Sequence, residues 1–302
     1  MNFTRRHLLT GAAAGASLAL APTTAHAEAE AAPGALGLLY DATACVGCQA
    51  CVSACVEANH APQSASLDAA RASERGLTTE ARSSVKLYVS ADGSERSFVK
   101  QQCMHCVDPA CVASCMFRAL NKDPQTGVVR WEPSRCVGCR YCEIVCPFHV
   151  PRFEWQGFNP RIVKCELCSP RLAAGLQPAC SSVCPTHAVV FGQRRALLST
   201  AHQRVAAHPG SYSEGRVYGE HEAGGTQALY LSHTAFGKLG LPLLSAESIP
   251  AKRLKWQKRI YSYLAAPAVA YALLAGVLVK RWRSHQVHEV HEEVTTGLRP
   301  QL

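Results

Sequence analysis

The chain has 302 residues, room for one large or two small domains with appended segments, and 16 cysteines, about one residue in twenty. That density falls short of a small disulfide scaffold and far exceeds that of an ordinary enzyme. The net charge of +9 gathers in part near the N-terminus and beside a C-terminal apolar run, which reads as targeting and membrane anchoring. No basic stripe is interleaved with aromatics, so no nucleic-acid partner is expected.

Residues 1–27 read as an export signal. Thr4-Arg5-Arg6-His7-Leu8-Leu9 resembles the twin-arginine consensus, residues 8–21 are mildly apolar, and Ala25-His26-Ala27 offers a small-x-small cleavage site. A chance arginine pair on an ordinary secretory signal is the alternative. Residues 28–44 form a small-residue approach to the first cysteine group, Cys45, Cys48, Cys51 and Cys55, spaced C-x2-C-x2-C-x3-C and followed by Val56. The stretch 57–93 is polar and cysteine-free, and reads as a loop with a short helix and a strand over 85–89.

The second group is Cys103, Cys106, Cys111 and Cys115, lengthened by a turn at Asp108-Pro109 and followed by Met116. Residues 121–131 predict a turn feeding a strand. The third group, Cys136, Cys139, Cys142 and Cys146, ends in Pro147 and is the C-x2-C-x2-C-x3-C-P run that wraps a [4Fe-4S] cluster. In such a run three thiolates hold one cubane and the fourth points toward a second. The fourth group, Cys165, Cys168, Cys180 and Cys184, ends in Pro185. A closing strand is expected over 188–191 and an amphipathic helix over 196–207. Residues 208–256 are rich in Gly, Pro and Ser with little periodicity, and read as an extended docking or linker segment without a core of its own, laid over the cysteine domains or a partner subunit; disorder is the alternative.

Residues 260–279 carry no charge, and 20 residues at about 1.5 Å each span a bilayer core of about 30 Å. Trp256, Tyr261, Tyr263 and Trp282 stand where interfacial aromatics belong, and Pro267 is tolerable inside such a helix. Lys252, Arg253, Lys255, Lys258 and Arg259 precede the span; Lys280, Arg281 and Arg283 follow it. By the positive-inside count alone the cysteine region stays in the cytoplasm; the twin-arginine signal argues for export and acts on the whole folded chain. Residues 284–302 read as a polar tail.

Three chemistries compete for the 16 thiols. Disulfides rarely form between residues three apart, and zinc ribbons need two C-x2-C pairs per ion but no third cysteine three residues on. Iron-sulfur ligation accounts for the triplets, for the isolated fourth cysteines and for Pro147 and Pro185; sixteen thiols would serve four cubanes.

The four groups resemble the four-cluster electron-transfer subunits of molybdopterin oxidoreductases and hydrogenases. With its own twin-arginine signal, the segments CRYCEIVCPFHVPRFEW, HAVVFGQRRALL and YGEHEAGGTQALYL, and one C-terminal membrane helix, the chain is similar to the HybA-type subunits of hydrogenase-2-class [NiFe] hydrogenases. That resemblance implies an α+β fold of two nested ferredoxin-like two-cluster domains plus one transmembrane helix. The first domain is split over 28–96 and 160–207, the second is inserted at 97–159, and an anchor follows at 257–283. It further implies four [4Fe-4S] clusters. Cys45, Cys48, Cys51 and Cys184 would hold the first; Cys165, Cys168, Cys180 and Cys55 the second; Cys103, Cys106, Cys111 and Cys146 the third; and Cys136, Cys139, Cys142 and Cys115 the fourth. The missing prolines after Cys55 and Cys115 put turn geometry in question rather than ligation.

No nucleophile-base pair, phosphate loop or open metal site stands out, so a non-catalytic relay of single electrons is expected. Its partners would be hydrogenase small and large subunits and a quinone-reactive membrane subunit at the periplasmic face of the inner membrane. A formate dehydrogenase or other molybdopterin enzyme is the alternative partner, and a membrane-tethered zinc or disulfide module the alternative of another class. Arg118, Arg135, Arg140, Arg152 and Lys164 lie near ligands, where they would raise potentials or guide docking; the simpler reading makes each a solvated charge. His105 and His149 abut ligand loops and are not assigned as ligands.

Overall fold

The computed structural model describes residues 30–59, 76–79, 81–154 and 161–296. The expected signal over 1–27, residues 60–75 and 80 of the cysteine-free stretch between the first two groups, and the last residues of the tail lie outside them. The chain divides into two units, one of them His26–Lys252, which carries every cysteine, the other including Arg253–Leu302.

The first unit is built around β1 (Leu36–Asp41), a strand buried along nearly all its length. Its neighbours are β8 (Val189–Gln193), antiparallel with Leu38 opposite Phe191, and β9 (Ala228–Leu231), parallel with Leu38 opposite Ala228. Side chains alternate across the sheet. Leu38, Tyr40, Ala228 and Tyr230 face the core that holds cysteines, while Leu39, Leu229 and Leu231 face Leu197 and Ala201 of helix α6 (Arg194–Ala207). Both faces are therefore covered, and the run LGLLYD reads as continuously apolar rather than alternating. The small-residue approach expected at 28–44 contains the central strand of this sheet.

Three hairpins complete the scaffold. β2 (Ser84–Val89) pairs with β3 (Arg96–Gln101), setting Val85 opposite Lys100; the turn is tightened by Gly93 N–H donating to Ser90 O at 2.9 Å. β4 (Leu120–Lys122) pairs with β5 (Val129–Trp131), its turn held by Asp123 Oδ1, which accepts from Thr126 N at 2.8 Å. β6 (Arg152–Phe153) pairs with β7 (Ile162–Val163). Helices α1 (Ala50–Ala58), α2 (Ala110–Ala113), α3 (Tyr141–Ile144), α4 (Ser169–Ala173) and α5 (Ala179–Ser182) each carry or follow cysteines, and α1 packs on α5. The strands expected at 85–89, 121–131 and 188–191 and the helix at 196–207 fall on these elements.

The segment beyond α6, expected to lack a core of its own, contributes one, packed with Cys51 and Cys180. It supplies β9, which carries Tyr230, and also Tyr218 and Phe236; all three are fully buried, with the Tyr218 ring edge-on to Tyr230 at 6.3 Å between centroids and tilted against Phe236 at 5.1 Å. Tyr218 and Tyr230 exchange backbone hydrogen bonds of 3.0 and 2.9 Å. Asp41, at the end of β1, ties the segment down by accepting from Tyr212 Oη at 3.1 Å and from Arg204 at 2.9 Å. Aromatic burial supplies this stretch with a core that its Gly- and Ser-rich composition conceals.

Helix α7 (Ile249–Thr296) is longer than the span expected at 257–283. It begins at Ser248, whose Oγ accepts from Ala251 N at 3.2 Å as an N-cap, and it continues without a break through Pro267. Its Ile249–Ser284 portion is apolar and long enough to cross a membrane, and none of its apolar window is buried. The tail expected from 284 is helical as far as Thr296.

Candidate iron-sulfur sites

All 16 cysteines are free thiols, and they gather in four quartets. Cys45, Cys48, Cys51 and Cys184 line one cavity with Tyr40, Val85 and Val189. Cys55, Cys165, Cys168 and Cys180 line a second, with Leu38, Ser83, Lys100 and Gln102. Cys115, Cys136, Cys139 and Cys142 line another with Leu120, Phe153 and Ile162. Cys103 and Cys146 pack in one buried cluster with Leu77 and Val150, and burial, then the charges of Cys103, Cys146 and Cys111, push the Cys106 thiol well above the usual range. Each cavity thus combines three cysteines of one group with the last cysteine of another.

The thiols stand around each cavity and do not converge on a point. Among the described residues no three His, Cys, Asp or Glu groups close on a single ion, as one zinc requires. A cubane instead takes one thiolate at each of four separate iron corners. Burial, and then the charges of Cys136 and Cys139, push the Cys142 thiol up to about 12; burial pushes Cys180 up to about 11. Such quartets give up their protons only to a cationic centre, which is how thiolate ligation couples metal binding to proton release.

A repeated backbone device shapes the loops. The residue before the second cysteine of each group has positive φ: Gly47, His105, Gly138 and Leu167, at 69°, 46°, 70° and 52°. The third residue after the last cysteine does so in three groups: Arg118, His149 and His187, at 53°, 51° and 52°. This left-handed geometry turns the chain back over the sulfur and lets N–H groups face it. Ala119 N donates to Cys115 Sγ at 3.2 Å, and Leu167 N to Cys165 Sγ at 3.4 Å. The turn after Cys115 therefore matches those after Cys146 and Cys184 although it lacks their proline. Only after Cys55 does the geometry differ, because α1 runs on to Ala58.

The loops are braced from elsewhere in the chain. Residues flanking Cys165 lock onto β5: Lys164 Nζ donates to Val129 O at 2.5 Å, and Glu166 accepts from Trp131 N at 2.7 Å while pairing with Arg82 at 3.2 Å. Lys164 is 2 % exposed, so it is no solvated charge. The Cys103 loop is backed by the tyrosine-bearing segment, Gln227 N donating to Met104 O at 3.0 Å and Val107 N to Gly225 O at 2.9 Å. His105 is buried; its Nδ1 accepts from Val129 N at 3.0 Å, and burial, reinforced by Lys164 and Lys122, holds its pKa well below the usual value. A neutral imidazole engaged in this way braces the loop. Arg152 pairs with Glu143 at 3.4 Å, and Arg140 lies 5.8 Å over the Phe153 ring. Sequence reasoning missed Ser83, Lys100 and Gln102, which carry no motif and reach the second cavity through the β2–β3 hairpin.

Comparison with known proteins agrees with this geometry. The family model for the 4Fe-4S dicluster domain matches residues 94–194. The chain is 37% identical to the hydrogenase-2 operon protein HybA of Escherichia coli O157:H7, covering 94% of this chain and 97% of that protein. It is 33% identical to the iron-sulfur subunit of the nitrate-inducible formate dehydrogenase of Escherichia coli K12, over 65% of this chain and 68% of that protein. To the formate dehydrogenase-O iron-sulfur subunit of the same strain it is 31% identical, over 79% and 80%. Four quartets of free thiols fit four [4Fe-4S] clusters, and the chain belongs to the HybA family of iron-sulfur electron-transfer subunits.

Proposed function

We propose that this subunit relays electrons between the small and large subunits of a [NiFe] hydrogenase and a quinone-reactive integral membrane subunit. The observation that carries the reading is the gathering of all 16 thiols into four quartets, each completed by a cysteine from another group. The ligand sets are Cys45, Cys48, Cys51 and Cys184; Cys165, Cys168, Cys180 and Cys55; Cys103, Cys106, Cys111 and Cys146; and Cys136, Cys139, Cys142 and Cys115. When bound, the clusters supply one-electron redox chemistry over a wide range of potential.

The protein's part is to hold the thiolates, keep water out and set the local field. Apolar walls such as Leu120, Phe153 and Ile162 exclude water, and backbone N–H groups aimed at sulfur favour its charged form. Neighbouring quartets are electrostatically contiguous. Cys51 acts on Cys180, Cys103 on Cys165, and Cys142 on Cys111, which supports one continuous path through the four sites. The pairing of β1 with β8 and the packing of α1 on α5 support a split ferredoxin-like domain, 28–96 with 160–207, around an inserted one at 97–159.

The twin arginines Arg5-Arg6 support export of the folded, loaded chain to the periplasmic face of the inner membrane, with α7 as a single anchor and the tail cytoplasmic. Purification from native membranes under mild detergent tests the assignment. A brown subunit with about four irons per four cysteines, recovered with nickel subunits that reduce quinone with hydrogen, is expected. Recovery with molybdenum subunits and no hydrogenase activity would favour the formate dehydrogenase reading that the 33%-identical relative supports. A colourless protein would leave the zinc or disulfide module.

A further inference from the structure

The second cavity differs from the others in what else lines it. Ser83, Lys100 and Gln102 share its wall with Cys55, Cys165, Cys168 and Cys180. All three side chains are buried, Lys100 completely, at 0 % exposure. Ser83 Oγ, Lys100 Nζ and Gln102 Oε1 have no hydrogen-bond partner among the described residues. An ammonium removed from water without acceptor or counter-charge is among the least tolerable arrangements in a protein interior. Its position is enforced: Lys100 sits opposite Val85 in the β2–β3 ladder, and its backbone carbonyl accepts from Tyr230 Oη at 2.9 Å. The only anionic groups on that wall are the thiols, once ligation has deprotonated them.

Lys100 also reaches the neighbouring quartet. Its cross-strand partner Val85 lines the first cavity, while Lys100 itself lines the second. A residue fixed between two quartets acts on both.

Resting on the four-cluster reading above, we infer that Lys100 is the shared internal counter-charge of the clusters held in the first two cavities, and that Ser83 and Gln102 are hydrogen-bond donors to the second alone. Ser83 donates through its hydroxyl; with its amide ends exchanged, Gln102 presents N–H to the cavity. A fixed positive charge and N–H or O–H donors stabilise the more negative, reduced form of a cluster and so raise its potential. The second cluster would thereby favour holding the electron, a low point on the path between its neighbours.

The test is potentiometric titration of the intact purified complex, followed by paramagnetic resonance, with iron counted in every preparation. Lys100→Met is expected to keep its iron and to move two of the four couples to lower potential. The larger shift should be at least a tenfold change in the reduced-to-oxidised ratio, about 59 mV for a one-electron couple. Ser83→Ala is expected to move one of those same two couples, by less, and Lys100→Arg to restore most of the larger shift. Full iron with all four couples unmoved, or all four moved equally, overturns the inference. Should Lys100→Met lose a cluster, Ser83→Ala decides: one couple shifted upholds the inference and none overturns it. Fewer than four couples in the unmutated complex would instead overturn the four-cluster reading beneath it.

Discussion

The four cysteine loops are of two kinds. Those at Cys45 and Cys136 share the sequence C-V-G-C, open with a glycine at the left-handed position, and carry an exposed second cysteine and an exposed valine: Val46 is 60 % and Val137 58 % exposed. Those at Cys103 and Cys165 place His105 and Leu167 at the same backbone position, both buried, and are braced by Val129, Trp131 and Gln227. The open loops supply three thiols each to the first and fourth of the proposed ligand sets, and the braced loops to the second and third. On the proposed relay the difference would separate two tasks. An interior relay site needs a rigid, dry, charge-controlled wall, whereas a terminal one must let another protein bring its own redox centre close.

Exchange of ligands between loops is the sharpest place to break this division. Cys146 lies in the open-loop motif but stands with Cys103, Cys106 and Cys111. Cys146→Ala is therefore expected to remove an interior cluster, about four irons of sixteen, while the signal of the Cys136 loop survives; paramagnetic resonance showing the reverse would erase the distinction.

A smaller effect tests the braced position itself. Leu167→Gly relieves a left-handed backbone worth about 1 kcal/mol but empties a buried site worth about 2–5 kcal/mol, so burial wins. Thermal unfolding should come several degrees earlier, and a stabilised variant would mean that strain dominates there.

Smaller again is Gly47→Ala in an open loop, where an added Cβ would meet the Phe98 ring at 2.2 Å with φ at 69°. A loss of about 1–3 kcal/mol is expected from displacing the ring, measured by denaturant titration. No loss would show that the open loop yields freely.

Least of all in stability should be Val46→Ser combined with Val137→Ser. Both side chains face solvent, so unfolding should change by about 0.5 kcal/mol or less. Recovery of catalytic or membrane subunits with the chain should nevertheless fall. Unchanged recovery would mean that the open loops are not where partners dock.

The cysteine spacing was legible because ligation to a cubane imposes a short linear pattern, and the hairpin strands were legible because β-branched residues between turn formers stand out. The sheet was harder. β1 is covered on both faces and so lacks alternation, and its parallel neighbour β9 lies far along the chain in a stretch whose Gly and Ser content imitates a linker. Lys100 left no signal at all. In the strand RSFVKQ it is an ordinary lysine at an ordinary position, and only the closing of the hairpin onto a cavity makes it unusual. The start of α7 could have been found from Ser248 followed by Pro250, a cap and an early helical proline, had apolarity not drawn the boundary further on.

The left-handed residues bear on the order in which the protein is made. Among the described residues ten that are not glycine have positive φ, and eight of them, Gln49, His105, Arg118, Arg140, His149, Leu167, Cys168 and His187, lie within three residues of a cysteine. Each such residue opposes its own loop by about 1 kcal/mol, and the quartets, protonated and uncharged until they are loaded, offer little to hold the loops closed. On that argument the cysteine loops would be held closed by iron and sulfide rather than by their own backbone. Loading would then have to precede completion of the fold, and any quality control that acts on folded shape would read, in effect, whether the clusters have been delivered.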